Sequence, residues 1–268
     1  MLIPASSEFG PSQMAQATTN LTGRAALVTG GGVGIGRAVA QRLAEAGAFV
    51  GIHYNRSRQD AEAVQKGVAE QGGQAVLVQG DLTDFERAPG IITEFVERAG
   101  RLDILVNNAG SPVERTRIED CSLDLWQTVI DTNLTGTFVL TQHAIAHLRR
   151  SGNGAIVNNL TLSIQTGGAN GAGPYAIAKG GLQVMTRTLA RELAPEVRTN
   201  AIMPGVIETR HHEIYTSPQR MEEYRKETPL GRNGTAEEVA AAVLFLVSDA
   251  GRFVNGALLD INGGRFLR

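Results

Sequence analysis

Three features of this 268-residue sequence predict an α/β fold, a doubly wound parallel sheet of seven strands with helices on both faces. Short apolar runs alternate with amphipathic stretches of helical length, the pattern of a parallel sheet with helical crossovers. The first run, Ala25 to Val28, ends in Thr29-Gly30-Gly31-Gly32-Val33-Gly34-Ile35-Gly36 and enters a helical pattern at once. Strand, glycine turn and helix in that order form a cradle for phosphate groups. The length supplies one sizeable core without demanding a second, so residues 21–268 are expected to be a single domain behind a flexible tail at 1–20.

Each element has its own signal. Gly30 suits a turn conformation closed to other residues, and Gly34 lets the backbone approach a diphosphate. The helix Arg37 to Ala46 sets Val39, Leu43 and Ala46 on one face and offers free N–H groups at its start. Phe49 to Tyr54 reads as the second strand, Ser57 to Gln71 as a helix stopped by Gly72-Gly73, and Gln74 to Gln79 as the third strand. Asp84 to Ala99 is expected to be helical and Leu102 to Val106 to be the fourth strand. A long helical pattern runs from Leu123 to Arg149, with a bend or close contact expected near Gly136. Ala155 to Leu160 is the fifth strand, Thr161 to Pro174 a glycine-rich loop, Tyr175 to Ala194 a helix and Val197 to Met203 the sixth strand. Residues 210–232 form an irregular, variable segment. Ala236 to Val247 is an amphipathic helix with Thr235 as its cap, and Leu258 to Ile261 is the last strand.

Composition narrows the function. The 25 basic and 27 acidic residues nearly balance, which gives no general nucleic-acid surface. The single cysteine, Cys121, permits no intrachain disulfide and no thiolate metal site, and points to a reducing, cytoplasmic setting. No window reaches the roughly 20 apolar residues of a membrane span. Residues 1–20 carry Glu8 as their one charge and lack a signal-peptide pattern, and Met14 is an alternative start. Arg210, His211 and His212 bring positive charge to the variable segment; the two histidines diverge on regular backbone, so no metal site is expected.

Two further motifs carry chemistry. Asn107-Asn108-Ala109-Gly110 follows the fourth strand, and Tyr175-Ala176-Ile177-Ala178-Lys179 opens a helix. A four-residue spacing puts Tyr175 and Lys179 on one helix face, where an ammonium favours phenolate and is expected to lower the working pKa of the phenol. With the glycine turn, these motifs resemble the classical short-chain dehydrogenase/reductase family over nearly all of Thr22 to Gly264, especially its 3-oxoacyl-carrier-protein reductase and sugar or polyol dehydrogenase branches. The resemblance implies a Rossmann-like fold, a homotetramer, and hydride transfer between NADP(H), with NAD possible, and a small-molecule carbonyl or secondary alcohol. It further implies a catalytic set of Asn133, a hydroxyl after the fifth strand, Tyr175 and Lys179, with Tyr175 as proton donor, Lys179 also on the nicotinamide ribose and Asn133 holding a relay water.

The hydroxyl is where the sequence departs from the family. Members carry serine thirteen residues before the tyrosine, but that position here is Leu162. Counting from the strand selects Thr161 and counting back with one deletion selects Ser163; Thr161 is preferred because a strand fixes side-chain direction while loops absorb insertions. This change also motivates the alternative of a cofactor-sensing or structural member with little turnover.

For the cofactor, the resemblance assigns Gly30, Gly32, Val33, Gly34 and Ile35 to the glycine turn. Asn55-Arg56-Ser57 stands where an acidic residue would select NAD, and the Arg56 fork suits a 2′-phosphate. Asp81 and Leu82 bracket the adenine, while Asn108, Ala109 and Gly110 lie along the ribose and diphosphate and Asn107 braces strands. In Pro204-Gly205-Val206-Ile207-Glu208-Thr209, backbone atoms at Ile207 are assigned to the carboxamide and Thr209 to the carboxamide or a phosphate.

Overall fold

A computed structural model describes residues 19–168, 171–210 and 216–267. Most of the expected tail, Met14, His211 and His212 lie outside the described residues. Seven strands form one parallel sheet in the order β3-β2-β1-β4-β5-β6-β7. They are β1 Ala25–Val28, β2 Phe49–Tyr54, β3 Gln74–Gln79, β4 Ile104–Asn107, β5 Gly154–Asn159, β6 Val197–Pro204 and β7 Leu258–Ile261. The order reverses beside β1, so the ends of β1 and β4 open a crevice at the sheet's carboxyl edge.

Nine helices among the described residues cover the sheet: α1 Gly34–Glu45, α2 Arg58–Glu70, α3 Pro89–Ala99, α4 Leu123–Ile130, α5 Gly136–Arg150, α6 Ser163–Thr166, α7 Gly173–Glu192, α8 Pro218–Glu227 and α9 Ala236–Val247. Alternation along the strands divides the core in two. Val28, Ile52, Val106 and Val157 pack with α1, α2 and α9 on one face. Leu27, Leu105 and Ile156 pack with α3, α5 and α7 on the other. At α9, Glu238 N–H donates to Thr235 Oγ1 at 3.3 Å and Thr235 N–H to Glu238 Oε2 at 2.9 Å, a reciprocal cap anchored on the expected Thr235.

Beyond shifts of a few residues at element ends, the structure differs from the sequence reading in three places. The third helix begins at Pro89, not Asp84; residues 84–88 make turns, with Ala88 N–H on Asp84 O at 2.8 Å, and proline suits a first helical position. The long helix is interrupted by a π-helical turn, Asp131–Thr135, between α4 and α5. The close contact expected at Gly136 is present, since a Cβ there would stand 2.4 Å from Leu82 O. The loop after β5 contains the short helix α6.

Candidate active site

A cavity of about 570 Å³ lies in the crevice, lined at one end by Asn55, Asp81 and Leu82 and at the other by Thr161, Ser163, Tyr175 and Lys179. Its floor is the glycine turn. Gly30 and Gly34 have φ of 62° and 53°, the left-handed region that favours glycine. A Cβ on Gly36 would sit 2.1 Å from Gly30 O and 2.4 Å from Asn108 Nδ2, so only glycine lets α1 start this close to the turn. Gly34 and Ile35, whose N–H groups belong to the unpaired first turn of α1, line the cavity with Gly30 and Val33. A dinucleotide fits this arrangement: a glycine floor and the free amides of a helix start, on one cavity with the residues of both ends.

The turn is held from behind. Thr29 Oγ1 accepts from Asn108 N–H at 2.9 Å and Ala109 N–H at 3.0 Å, and Asn108 Nδ2 donates to Thr29 O at 2.9 Å. Asn107 braces the strands as expected, donating to Thr141 Oγ1 at 3.0 Å and Asn158 Oδ1 at 2.9 Å. His53 at the end of β2 is a residue the sequence reading missed. Its Nδ1 accepts from Gly30 N–H at 3.3 Å and its Nε2–H donates to Gly80 O at 3.1 Å, which fixes a neutral ring. Burial pushes its pKa down to about 4.

At the adenosine end, Asp81 Oδ1 accepts from Thr83 N–H at 2.9 Å and Thr83 Oγ1–H at 2.7 Å. These bonds, assisted by Asn55 and the Arg56 charge, hold its carboxyl below the usual range. Arg56 is exposed, and neither it nor Ser57 lines the cavity. Gly32 does not line it either: its bare Cα admits α2, where a Cβ would meet Ala61 N at 3.1 Å. Across the cavity, Pro204, Gly205, Ile207 and Thr209 form the opposite wall, and Thr209 comes within contact distance of Gly34, 3.6 Å from a Cβ built there.

At the chemical end, α7 begins two residues before Tyr175, which places Tyr175 and Lys179 one turn apart on the cavity side. Lys179 Nζ lies 5.9 Å from the Tyr175 ring centroid and donates to Asn159 O at 2.9 Å. Burial pushes the phenol up to about 12 and the ammonium down to about 8. The expected lowering of Tyr175 is therefore absent from this geometry: loss of solvation outweighs the neighbouring cation.

Asn133 sits in the π-helical turn, beside rather than in the cavity wall. Its Nδ2 donates to Ser111 O at 2.7 Å and Val129 O at 2.9 Å, and its Oδ1 accepts from Ser111 N–H at 3.0 Å. Both side-chain N–H groups are thus committed to the backbone. Gly110 is the spacer: a Cβ there would stand 2.6 Å from Asn133 Oδ1 and 3.0 Å from Lys179 Nζ.

Thr161 and Ser163 both line the cavity, and Thr161 Oγ1 accepts from Ser163 N–H at 3.2 Å. Leu160 N–H and Leu162 N–H continue the ladder onto Ile202 O and Pro204 O at 2.9 and 3.0 Å. The extended course thus runs past β5, and period two gives Thr161 the face of Asn159, whose Nδ2 donates to Asn108 Oδ1 at 2.9 Å. Arg115, Arg220, Tyr224 and Arg265 complete the wall. None stands in a motif, and only the charge richness of 210–232 hinted at part of the set.

Comparison with known proteins agrees over nearly the whole chain. Residues 31–265 match the family model described as enoyl-(acyl carrier protein) reductase. The chain is 39% identical over 248 residues to a 3-oxoacyl-[acyl-carrier-protein] reductase of Aquifex aeolicus, covering 92% of this chain and 98% of that one. A dehydrogenase/reductase from Sinorhizobium meliloti superposes with a TM-score of 0.90 at 32% identity, covering 95% and 100% of the two chains. A short-chain dehydrogenase from Burkholderia cenocepacia, solved in complex with NADP, does so with 0.85 at 34% identity, covering 92% and 99%.

Proposed function

The chain belongs to the short-chain dehydrogenase/reductase family, NAD(P)(H)-dependent oxidoreductases of carbonyl and alcohol groups, and on that basis we propose that it is a carbonyl reductase that prefers NADPH and uses Tyr175 as its proton donor. The observation that carries this reading is the single cavity joining the glycine turn to Tyr175 and Lys179. When bound, the nicotinamide supplies the hydride. The protein contributes alignment and electrostatics.

Val33, Gly34 and Ile35 would hold the diphosphate by backbone N–H groups, with Gly30, whose N–H is given to His53, as the turn beneath it. Asp81 and Leu82 would flank the adenine, with Asn55, Arg56 and Ser57 at the ribose; exposed Arg56, next to the lining residue Asn55, would meet a 2′-phosphate. Asn108, Ala109 and Gly110 would follow the sugar–phosphate chain, and Pro204, Gly205, Ile207 and Thr209 the carboxamide side. The Tyr175 phenol, protonated at neutral pH with a pKa of about 12, donates its proton to the carbonyl oxygen. Lys179, largely charged at pH 7 with a pKa of about 8, holds the ribose and supports the negative charge that departure of that proton leaves. Thr161 donates its hydroxyl to the same carbonyl oxygen, supported by the shared face with Asn159. Asn133 acts by position, fixing Ser111 and the Gly110 approach to Lys179.

No helix among the described residues is long and apolar enough to cross a membrane; a cytoplasmic location and a homotetramer are part of this reading. The exposed Phe138 of α5 and Ile177 and Val184 of α7, with the open face at Gly180, support a subunit interface. The reading is tested by NADPH and NADH consumption with a panel of sugar-derived keto acids, acetoacetyl thioesters and cyclic ketones. Faster consumption of NADPH with a panel member supports it; tight cofactor binding with no consumption across the panel identifies a cofactor-sensing protein instead.

A further inference from the structure

The charges lining the cavity are unequal. Asp81 is its one carboxylate among the described residues, and it lies at the adenosine end, against Lys179, Arg115, Arg210, Arg220 and Arg265. Most of these cations have partners. Arg210 reaches Asp60 at 3.4 Å, Arg220 reaches Glu223 at 2.6 Å and Glu227 at 2.9 Å, and Arg265 pairs with Glu227. The Arg220 and Arg265 guanidinium groups also lie over the Tyr224 ring, at 4.3 and 4.5 Å from its centroid. Arg115 differs in its charge: among the described residues no carboxylate pairs with it, while its Nε, like that of Arg220, is buried without a hydrogen-bond partner. Arg115 as a whole is half-buried, so a cation without a carboxylate and with one orphaned N–H stands on the cavity wall, where a ligand's anion would satisfy both.

The backbone aims this residue. Val113 adopts φ of 62°, rare for a β-branched side chain. The turn is held by Val113 N–H on Ser111 Oγ at 3.0 Å, and Ser111 itself is gripped by Asn133. Beyond it, Thr116 N–H donates to Gly171 O at 2.9 Å, and Ile118 packs on Gly173. Arg115 therefore stands against the segment that leads into Tyr175, whereas the phosphate floor is the turn at Gly30 and Gly34. An anion at Arg115 would belong to the substrate.

We propose that Arg115 is the specificity-determining residue of this site and that the substrate is a carbonyl compound bearing a carboxylate, which the Arg115 guanidinium binds while Tyr175 addresses the carbonyl. The proposal rests on the reductase reading above. Two measurements separate their fates. In the first, kcat/KM with NADPH is compared for acetoacetate and levulinate against their methyl esters. The native protein prefers the acids by at least about tenfold, the scale of a bond to a charged group. In Arg115→Gln that acid-to-ester ratio collapses towards one through a higher KM for the acids, and Arg115→Lys, which keeps the charge, retains part of it. In the second, non-reducible butyrate and butyramide are titrated into the protein–NADPH complex and read by NADPH fluorescence; butyrate binds at least about tenfold more tightly, and the difference vanishes in Arg115→Gln. Turnover without an acid preference, or a preference unchanged in Arg115→Gln, overturns the carboxylate assignment and leaves the reductase standing. Preferential butyrate binding without turnover supports Arg115 as the anion site and counts against reduction. Equal binding of butyrate and butyramide overturns the proposal whatever the turnover.

Discussion

The two ends of the cavity are built by opposite means. The nucleotide end, from the turn after β1 to the end of β3, is made of backbone and of missing side chains: positive φ at Gly30 and Gly34, and no room for a Cβ on Gly36. The chemical end, from β4 to α7, is made of polar side chains, buried Asn133 and Lys179 and half-buried Tyr175, the last two with pKa values displaced by desolvation. One end is damaged by adding atoms and the other by removing them.

The sharpest break of that contrast is Gly36→Val. A side chain there collides with Gly30 O and Asn108, so the variant should lose more than about 4 kcal/mol of stability or fail to fold, as in the severe class of core lesions; urea unfolding checks this. Native stability and native NADPH affinity in that variant would remove the claim that missing atoms build the cradle. At the chemical end, Thr161→Val keeps shape and removes a donor, so kcat should fall by roughly 2.7–4 kcal/mol in transition-state stabilisation. Ser163→Ala should cost less than about 1 kcal/mol, an ordinary neutral hydrogen bond. The reverse pattern would transfer the orienting role to Ser163.

His53 sharpens the comparison because it is a buried titratable group at the nucleotide end. Its folded pKa of about 4 lies below the unfolded 6.5, so the unfolded chain takes up the proton first as pH falls. Its contribution is complete above pH 6.5 and is lost between pH 6.5 and about 4, up to roughly 3 kcal/mol. Unfolding measured at pH 7 and pH 4.5 should show a smaller acid loss for His53→Gln than for the native protein; equal losses would show that His53 does not titrate against the fold. At exposed Arg56 the effect should fall on one cofactor alone: Arg56→Ala should weaken NADPH by roughly 1.5–3 kcal/mol and leave NADH nearly unchanged. Equal losses for both cofactors would assign Arg56 a structural role.

The same contrast explains what the sequence made legible. Glycine spacing, strand periodicity and the Tyr175–Lys179 interval are local, so the sheet, its seven strands and the cradle could all be read before the structure. Gly32 was assigned to the cofactor because a glycine run does not say which member faces a ligand; here it packs on Ala61 of α2. The commitment of the Asn133 side chain to Ser111 and Val129 depends on a π-helical turn that no local pattern announces. The rise of the Tyr175 pKa depends on burial by residues remote in sequence. His53 and Arg115 were missed for a related reason: a strand histidine and a loop arginine acquire meaning only from what lies, or fails to lie, beside them.

The central claim is that this cavity binds NADPH at one end and delivers a proton from Tyr175 at the other. It is tested most directly by measuring NADPH affinity and turnover on one preparation of Tyr175→Phe. The account predicts a folded protein with native-like NADPH affinity and kcat reduced by at least about 100-fold, the scale of general acid catalysis. Near-native turnover in that variant would contradict it.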